Sequence, residues 1–363
     1  GAAGGDRGRE AEVHADRALI VAVSPDSRDE ARPCDAGHGI EVGVRVAAIG
    51  GADVVRLSRA LVRRGEGRVE EGQTGDDHDA DAISAYNSKL IKTPHIDRIA
   101  QEGMRFNSAF VGNSICGPAR ATLLTGQHSH LNGMIDNHRA FDASKMTMPR
   151  LLQQAGYQTA IVGKWHLQSY PVGFDYWKIL PGQGMYYDPK LISSNGDTSV
   201  YKGYATEVIT DQALQWLDKR DKQKPFLLLV HHKAPHRNFV PRLKYLETFS
   251  KMVFPEPPTL FADMQDHGTA WKKQKMSIQY DMQLCSDLKV DPAFLKDIPS
   301  LVPDKGDVDA YNATMDRIPE TDRTRMKSIF AERGKMVQQF YRDAKKMLQL
   351  KYQWYMQDFL ACV

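Results

Sequence analysis

The chain has 363 residues, 42% of them hydrophobic and 26% charged, which is ordinary for one large or two average globular domains. Its 48 basic and 45 acidic residues leave a formal charge of +3, so no global field argues for nucleic acid or a membrane surface as a partner. No apolar run approaches the roughly 20 residues of a membrane span, and the four cysteines, Cys34, Cys116, Cys285 and Cys362, are too few and too scattered for a disulfide scaffold.

The sequence begins with Gly and shows no basic stretch followed by an apolar one of secretory type. Residues 1–75 contain no Lys, Phe, Tyr, Trp, Met or Asn. With so few side chains that bury large apolar area, this segment reads as an atypical leader, disordered or weakly packed, or else as a small module. Residues 18–23 and 42–49 alone have strand character.

From Asp76 onward the grammar is that of an α/β protein. Thr93 and Pro94 introduce Ile96, Ile99 and Ala100, and Gly103 follows, which predicts a short helix; residues 104–111 then read as a strand. Thr147 opens a second helix over 148–155, Gly156 ends it, and residues 157–162 run extended into Gly163. Ala205, Val208, Ile209, Ala213, Trp216 and Leu217 keep helical spacing. The continuously apolar residues 225–230 suit a parallel strand covered on both faces.

Residues 250–332 mix prolines and charges, and read as an irregular insertion of short helices and loops. Leu348, Tyr352, Tyr355, Met356, Phe359 and Val363 form a last helical stripe that stops with the sequence, and it is expected to leave apolar surface exposed.

The densest candidate for chemistry is Asn113-Ser-Ile-Cys116-Gly-Pro118-Ala-Arg120-Ala-Thr-Leu-Leu-Thr125-Gly126. A Cys just before a helix sits where backbone N–H groups and the helix dipole favour an anion or a thiolate, and Arg120 lies one turn further on. By residue type alone, Cys116 could equally be a small buried hydrophobe. Three more strings stand where strands meet loops: Asp76-Asp77-His78, Gly163-Lys164-Trp165-His166-Leu167 and Ala234-Pro235-His236-Arg237. Each also has a plain reading, as a solvated acidic loop, a polar pair at a strand end, and surface or capped histidines that include His231 and His232.

Taken together, C-x-P-x-R followed by Thr-Gly, the aspartate pair, the GKWHL element and the PH element resemble, in order, the motifs of the sulfatase family. The resemblance covers residues 76–249 and extends to the terminal helix. It implies an alkaline-phosphatase-like α/β sandwich, with a mostly parallel central sheet flanked by helices and truncated at its C-terminus. Residues 76–363 would be the partial catalytic domain.

The resemblance further implies a sulfuric ester hydrolase. Cys116 would be oxidised to formylglycine by a formylglycine-generating or anaerobic sulfatase-maturating enzyme that reads Pro118 and Arg120. Asp76, Asp77 and the modified Cys116 would bind Ca²⁺. One hydroxyl of the formylglycine hydrate would attack sulfur, Arg120 and Lys164 would hold the negative charge, and His236 would contact the sulfate or the leaving oxygen. His166 would be the base that takes the proton of the second hydroxyl.

The run Ser84-Ala-Tyr-Asn-Ser-Lys-Leu-Ile-Lys-Thr-Pro94 and the element His128-Ser-His130-Leu-Asn-Gly133 look most like bacterial sulfatases acting on sulfated carbohydrate, N-acetylglucosamine 6-sulfate included. A periplasmic or secreted location is expected on the same basis. Two departures set expectations of their own. The polar residues 63–75 do not read as the buried strand that the family runs into its aspartate pair. The family's second Asp with an Asn or Gln for the metal, and its second Lys, would follow Val363, so weak metal binding and low activity are expected of this stretch by itself. The rival readings are a non-catalytic sulfatase-like remnant that binds a glycan or partner, and a phosphoester hydrolase of the same superfamily. The latter normally carries Ser or Thr at the nucleophile position and uses zinc or manganese.

Overall fold

A computed structural model of the chain describes residues 20–22, 45–47, 69–74, 78–87, 89–107, 109–262 and 268–363. Asp76 and Asp77 lie outside the described residues, as does most of the segment read as a leader.

Three short strands come first, β1 (Ile20–Ala22), β2 (Arg45–Ala47) and β3 (Val69–Thr74). Helix α1 (Pro94–Glu102) follows with Pro94 in its first turn. Thr93 makes no side-chain cap on it. Its hydroxyl instead donates to Asp97 at 3.0 Å and accepts from the Ser84 N–H at 2.8 Å. The strand expected over 104–111 shrinks to β4 (Met104–Arg105), which pairs antiparallel with β1, while β1 pairs antiparallel with β2.

The central sheet is built around two helix-to-strand steps. Helices α2 (Cys116–Thr125), α3 (Ser129–Asn132) and α4 (Met148–Gln154) lead to β5 (Gln158–Lys164). Strands β6 (Tyr176–Leu180), β7 (Lys190–Ser193) and β8 (Thr198–Val200) precede α5 (Ala205–Lys219), which returns the chain to β9 (Phe226–His231). The strand order is β3-β9-β5-β6-β7-β8, parallel across β3 to β6 and antiparallel at the two β7 junctions.

All six residues of β9 are buried, and the pleat divides them between two layers. Phe226, Leu228 and Val230 pack with Ala160 and Val162 against Ile209, Ala213 and Leu217 of α5. Leu227 and Leu229 pack with Ile161 and Trp177 against Ala121 and Leu124 of α2. The sheet is therefore covered on both faces, as the apolar run predicts.

The polar stretch before Asp76 corrects an expectation. Val69–Thr74 is a strand after all, parallel to β9 with Thr74 beside His231, and it forms the sheet edge among the described residues. Its position at the edge of the described sheet agrees with a segment that does not read as a buried central strand.

The C-terminal region corrects two more. After α6 (Leu243–Phe249) and α7 (Thr269–Lys273), the segment expected to be irregular contains α8 (Lys305–Met315) and the 21-residue α9 (Glu320–Phe340). The last helix, α10 (Ala344–Cys362), does not leave its stripe exposed. Leu348, Tyr352, Met356 and Phe359 are all buried, and most of this face joins Leu246, Met326, Phe330 and Val337 in one apolar cluster. Helices α6 and α9 cover the face that sequence reasoning left open. No helix among the described residues is long and apolar enough to cross a membrane.

Candidate active site

The candidate residues gather at the C-terminal ends of β5 and β9, where open α/β sheets place their ligands. Lys164 is the last residue of β5, and its neighbour Gly163 pairs with His231, the last residue of β9. Gly163 has φ +109°, and a Cβ there would lie 2.0 Å from the His231 carbonyl oxygen, so only glycine allows the two strands to close up at this level.

Cys116 occupies the first turn of α2, preceded by Ile115 in extended conformation. The opening N–H groups of a helix lack intrahelical partners and carry partial positive charge. One of them, Gly117 N–H, donates to Asn137 Oδ1 at 2.8 Å. Cys116 is half-buried, and Lys164 Nζ stands 3.8 Å from its Sγ. The Lys164 side chain is fully buried and also donates to Gln183 Oε1 at 2.5 Å.

Arg120, one turn along α2, donates through Nη1 to the Lys164 carbonyl at 2.9 Å and meets His231 Nδ1 at 2.8 Å. His231 Nδ1 also lies 3.1 Å from the Lys164 carbonyl, so the guanidinium, the imidazole and that carbonyl form one buried polar cluster. A buried Lys164 ammonium and a helix N-terminus thus meet at residue 116, with the buried Arg120 guanidinium on the carbonyl of the same lysine.

His166 follows Lys164 by two residues with φ +53°, and its carbonyl lies 3.4 Å from where a Gly117 Cβ would stand, against the first turn of α2. The His236 carbonyl accepts from the Tyr186 hydroxyl at 2.7 Å. Gln183 and Tyr186 belong to the same loop between β6 and β7, so that loop touches both Lys164 and the His236 segment. The structure joins Cys116 to the Lys164 side chain and Arg120 to the Lys164 carbonyl, brings the His166 carbonyl against the first turn of α2, and links the His236 carbonyl to the loop that also holds Lys164. Asp76 and Asp77 fall outside the described residues, and among the described residues no group of three or more His, Cys, Asp or Glu could hold a metal ion.

Gln183, Asn137 and the contact of His231 with Arg120 are additions that sequence reasoning missed. The Pro181-Gly-Gln-Gly184 string, a tight turn directly after a strand, was the available signal for Gln183.

The family described as Sulfatase matches residues 74–341, well over half of the chain. The chain belongs to the sulfatase family. N-acetylglucosamine-6-O-sulfatase of Bacteroides thetaiotaomicron is 43% identical over 293 residues, which is 79% of this chain and 51% of that protein. Human N-acetylglucosamine-6-sulfatase is 28% identical over 202 residues, covering 49% of this chain and 36% of that one. The solved structure of BT4656 in complex with its substrate D-glucosamine-2-N,6-O-disulfate superposes with a TM-score of 0.74 at 43% identity, covering 80% of this chain and 58% of that one. The sulfatase chain described here spans about half the length of these curated relatives.

Beside the site, His232 is fully buried, and neither ring nitrogen has a hydrogen-bond partner among the described residues. Burial lowers its pKa from 6.5 to about 4. Below pH 6.5 the unfolded chain takes up a proton that the folded chain refuses, so this sulfatase is expected to lose about 3 kcal/mol of stability between pH 6.5 and 4 through His232. Urea denaturation at several pH values should show that difference, and His232→Leu should flatten it. Equal slopes for the two proteins would sink the assignment.

Proposed function

We propose that this chain carries the nucleophile half of a glycan sulfatase that removes sulfate from C6 of a glucosamine-type sugar. The observation that carries the reading is the arrangement around residue 116, a helix N-terminus with Lys164 Nζ at 3.8 Å and Arg120 packed behind Lys164. The relatives named for N-acetylglucosamine 6-sulfate supply the substrate class.

The residues fit the groups that the family implies. A formylglycine at position 116 would place oxygen, in hydrate or anionic form, where the structure offers buried cations and helix N–H groups. Asp76 and Asp77, two carboxylates directly after β3 in the sequence, are the hard oxygen donors that calcium takes. Asp76, Asp77 and residue 116 would hold calcium, which would supply Lewis-acid polarisation of a sulfate oxygen.

This chain's own residues do the rest. Lys164 is fixed by Gln183, and Arg120 by the Lys164 carbonyl and His231, so neither needs to reorganise when negative charge develops beside residue 116. Preorganised charge of this kind is often the largest catalytic contribution. His166 would take the proton of the second hydroxyl on residue 116, which expels the sulfate, general-base help worth roughly 10²- to 10⁴-fold. His236 would contact the sulfate or the leaving oxygen.

The full-length gene product, co-expressed with a sulfatase-maturating enzyme, is expected to release free sulfate from N-acetylglucosamine 6-sulfate. Activity should vanish with a calcium chelator and return with calcium. A protein that hydrolyses the 6-phosphate and leaves the 6-sulfate intact would establish the phosphoester reading instead. One that only binds the sugar would establish the non-catalytic one.

A further inference from the structure

The segment after α7 reaches back to the loop that bears His236. Asp287 is buried, with its side chain fully out of solvent, and its carboxylate collects four donors. Arg237 gives Nε at 2.8 Å and Nη2 at 2.6 Å, Asn238 gives Nδ2 at 2.7 Å, and the Gln283 N–H gives a fourth at 2.8 Å. Arg237 Nη2 also donates to the Asp281 carbonyl at 2.7 Å. Three of these four donors therefore come from the two side chains directly after His236. The forked geometry of a bidentate Arg–carboxylate pair fixes direction as well as distance.

Asp287 is itself held. Residues 284–290 are all buried, Lys289 Nζ donates to the carbonyls of Ser286 and Asp287, and the Asp307 carboxylate accepts from the N–H groups of Cys285 and Ser286. On the other side of the loop, Tyr186 anchors the His236 carbonyl. His236 is thus pinned from both sides, by the loop before β7 and by a carboxylate fifty residues downstream in the sequence.

We infer that Asp287 is a positioning residue for His236, and that the segment around it is a working part of the active site. The inference rests on the reading of His236 given above. An imidazole that contacts a sulfate or leaving oxygen must be held closely, because a misplacement of about 1 Å can cost about 100-fold in rate. The clamp on Arg237 and Asn238 provides that restraint, since neither side chain can leave Asp287 without stranding a buried carboxylate.

The test uses the full-length gene product with matured residue 116. Asp287→Asn is expected to lower kcat roughly 10- to 100-fold with little change in KM, because it loosens a group that acts in the transition state. In a His236→Ala background the same change should leave kcat unaltered, which a general loss of structure would not do. If Asp287→Asn does not fold, Arg237→Lys keeps the charge and removes the fork, and it should lower kcat in the same His236-dependent way. A wild-type kcat for either folded variant, or an equal drop with and without His236, would overturn the inference. Should His236→Ala alone keep the wild-type rate, the reading of His236 itself would fall, and this outcome is distinct from failure of the clamp.

Discussion

On the function proposed above, Cys116→Ala in the full-length gene product is expected to reduce sulfate release on the order of 10⁴-fold or more while leaving the fold in place. Removing an enzyme's nucleophile typically forfeits that much, because the remaining binding and electrostatic groups cannot open a covalent route by themselves. The fold should survive for a local reason. Residue 116 is half-buried at the first position of α2, Ala is the best helix former, and the contacts of α2 with the sheet come from Ala121 and Leu124 further along. A stability change within about 1 kcal/mol is expected. Initial rates on N-acetylglucosamine 6-sulfate, with denaturation curves for both proteins, check the two halves together. Peptide mass spectrometry of the wild-type protein should show the aldehyde at residue 116. A folded Cys116→Ala protein with substantial activity would remove residue 116 from the mechanism.

The parts of the fold that were legible are those in which one physical pattern dominates. β9 reads as a central strand because all six of its positions face a layer of side chains, and α5 reads as a helix because Val208, Ile209, Ala213, Trp216 and Leu217 recur on one face. The site was legible as a set of motifs. Its contacts were not, because Arg120 meets His231 across 111 residues and Asp287 meets Arg237 across 50. No local pattern encodes such pairings.

α9 shows how a periodic signal is hidden. Its buried residues, Met326, Phe330, Arg333, Gly334 and Val337, keep helical spacing, yet a charge and a glycine interrupt the apolar series. Each interruption has a tertiary cause. Phe294 packs so closely on Gly334 that a Cβ would lie 2.3 Å from the ring, and Arg333 faces a carboxylate on α10. β3 was missed for the opposite reason, since its backbone pairs with β9 without any apolar alternation in its side chains.

That buried carboxylate gives the largest stability effect expected in the molecule. Arg333 donates through Nη1 and Nη2 to the two oxygens of Asp358, both at 2.7 Å, with side chains only 3% and 0% exposed. Nη1 also donates to the Leu288 carbonyl, so the pair ties α9 and α10 to the segment that holds Asp287. Lys289 lies within electrostatic reach, and burial pulls its pKa down to about 8 although Asp358 works in the opposite direction. Asp358→Ala would therefore leave one buried guanidinium uncompensated and a second buried cation less well supported. A loss of about 3–5 kcal/mol in denaturant unfolding is expected, the usual cost of breaking a buried ion pair from one side. The double change Arg333→Met with Asp358→Leu removes both charges and refills the space, and it should cost much less than Asp358→Ala. If Asp358→Ala cost under about 1 kcal/mol, water or another group would have to be compensating Arg333, and the pair could not be what fastens α9 and α10 to the segment that holds Asp287.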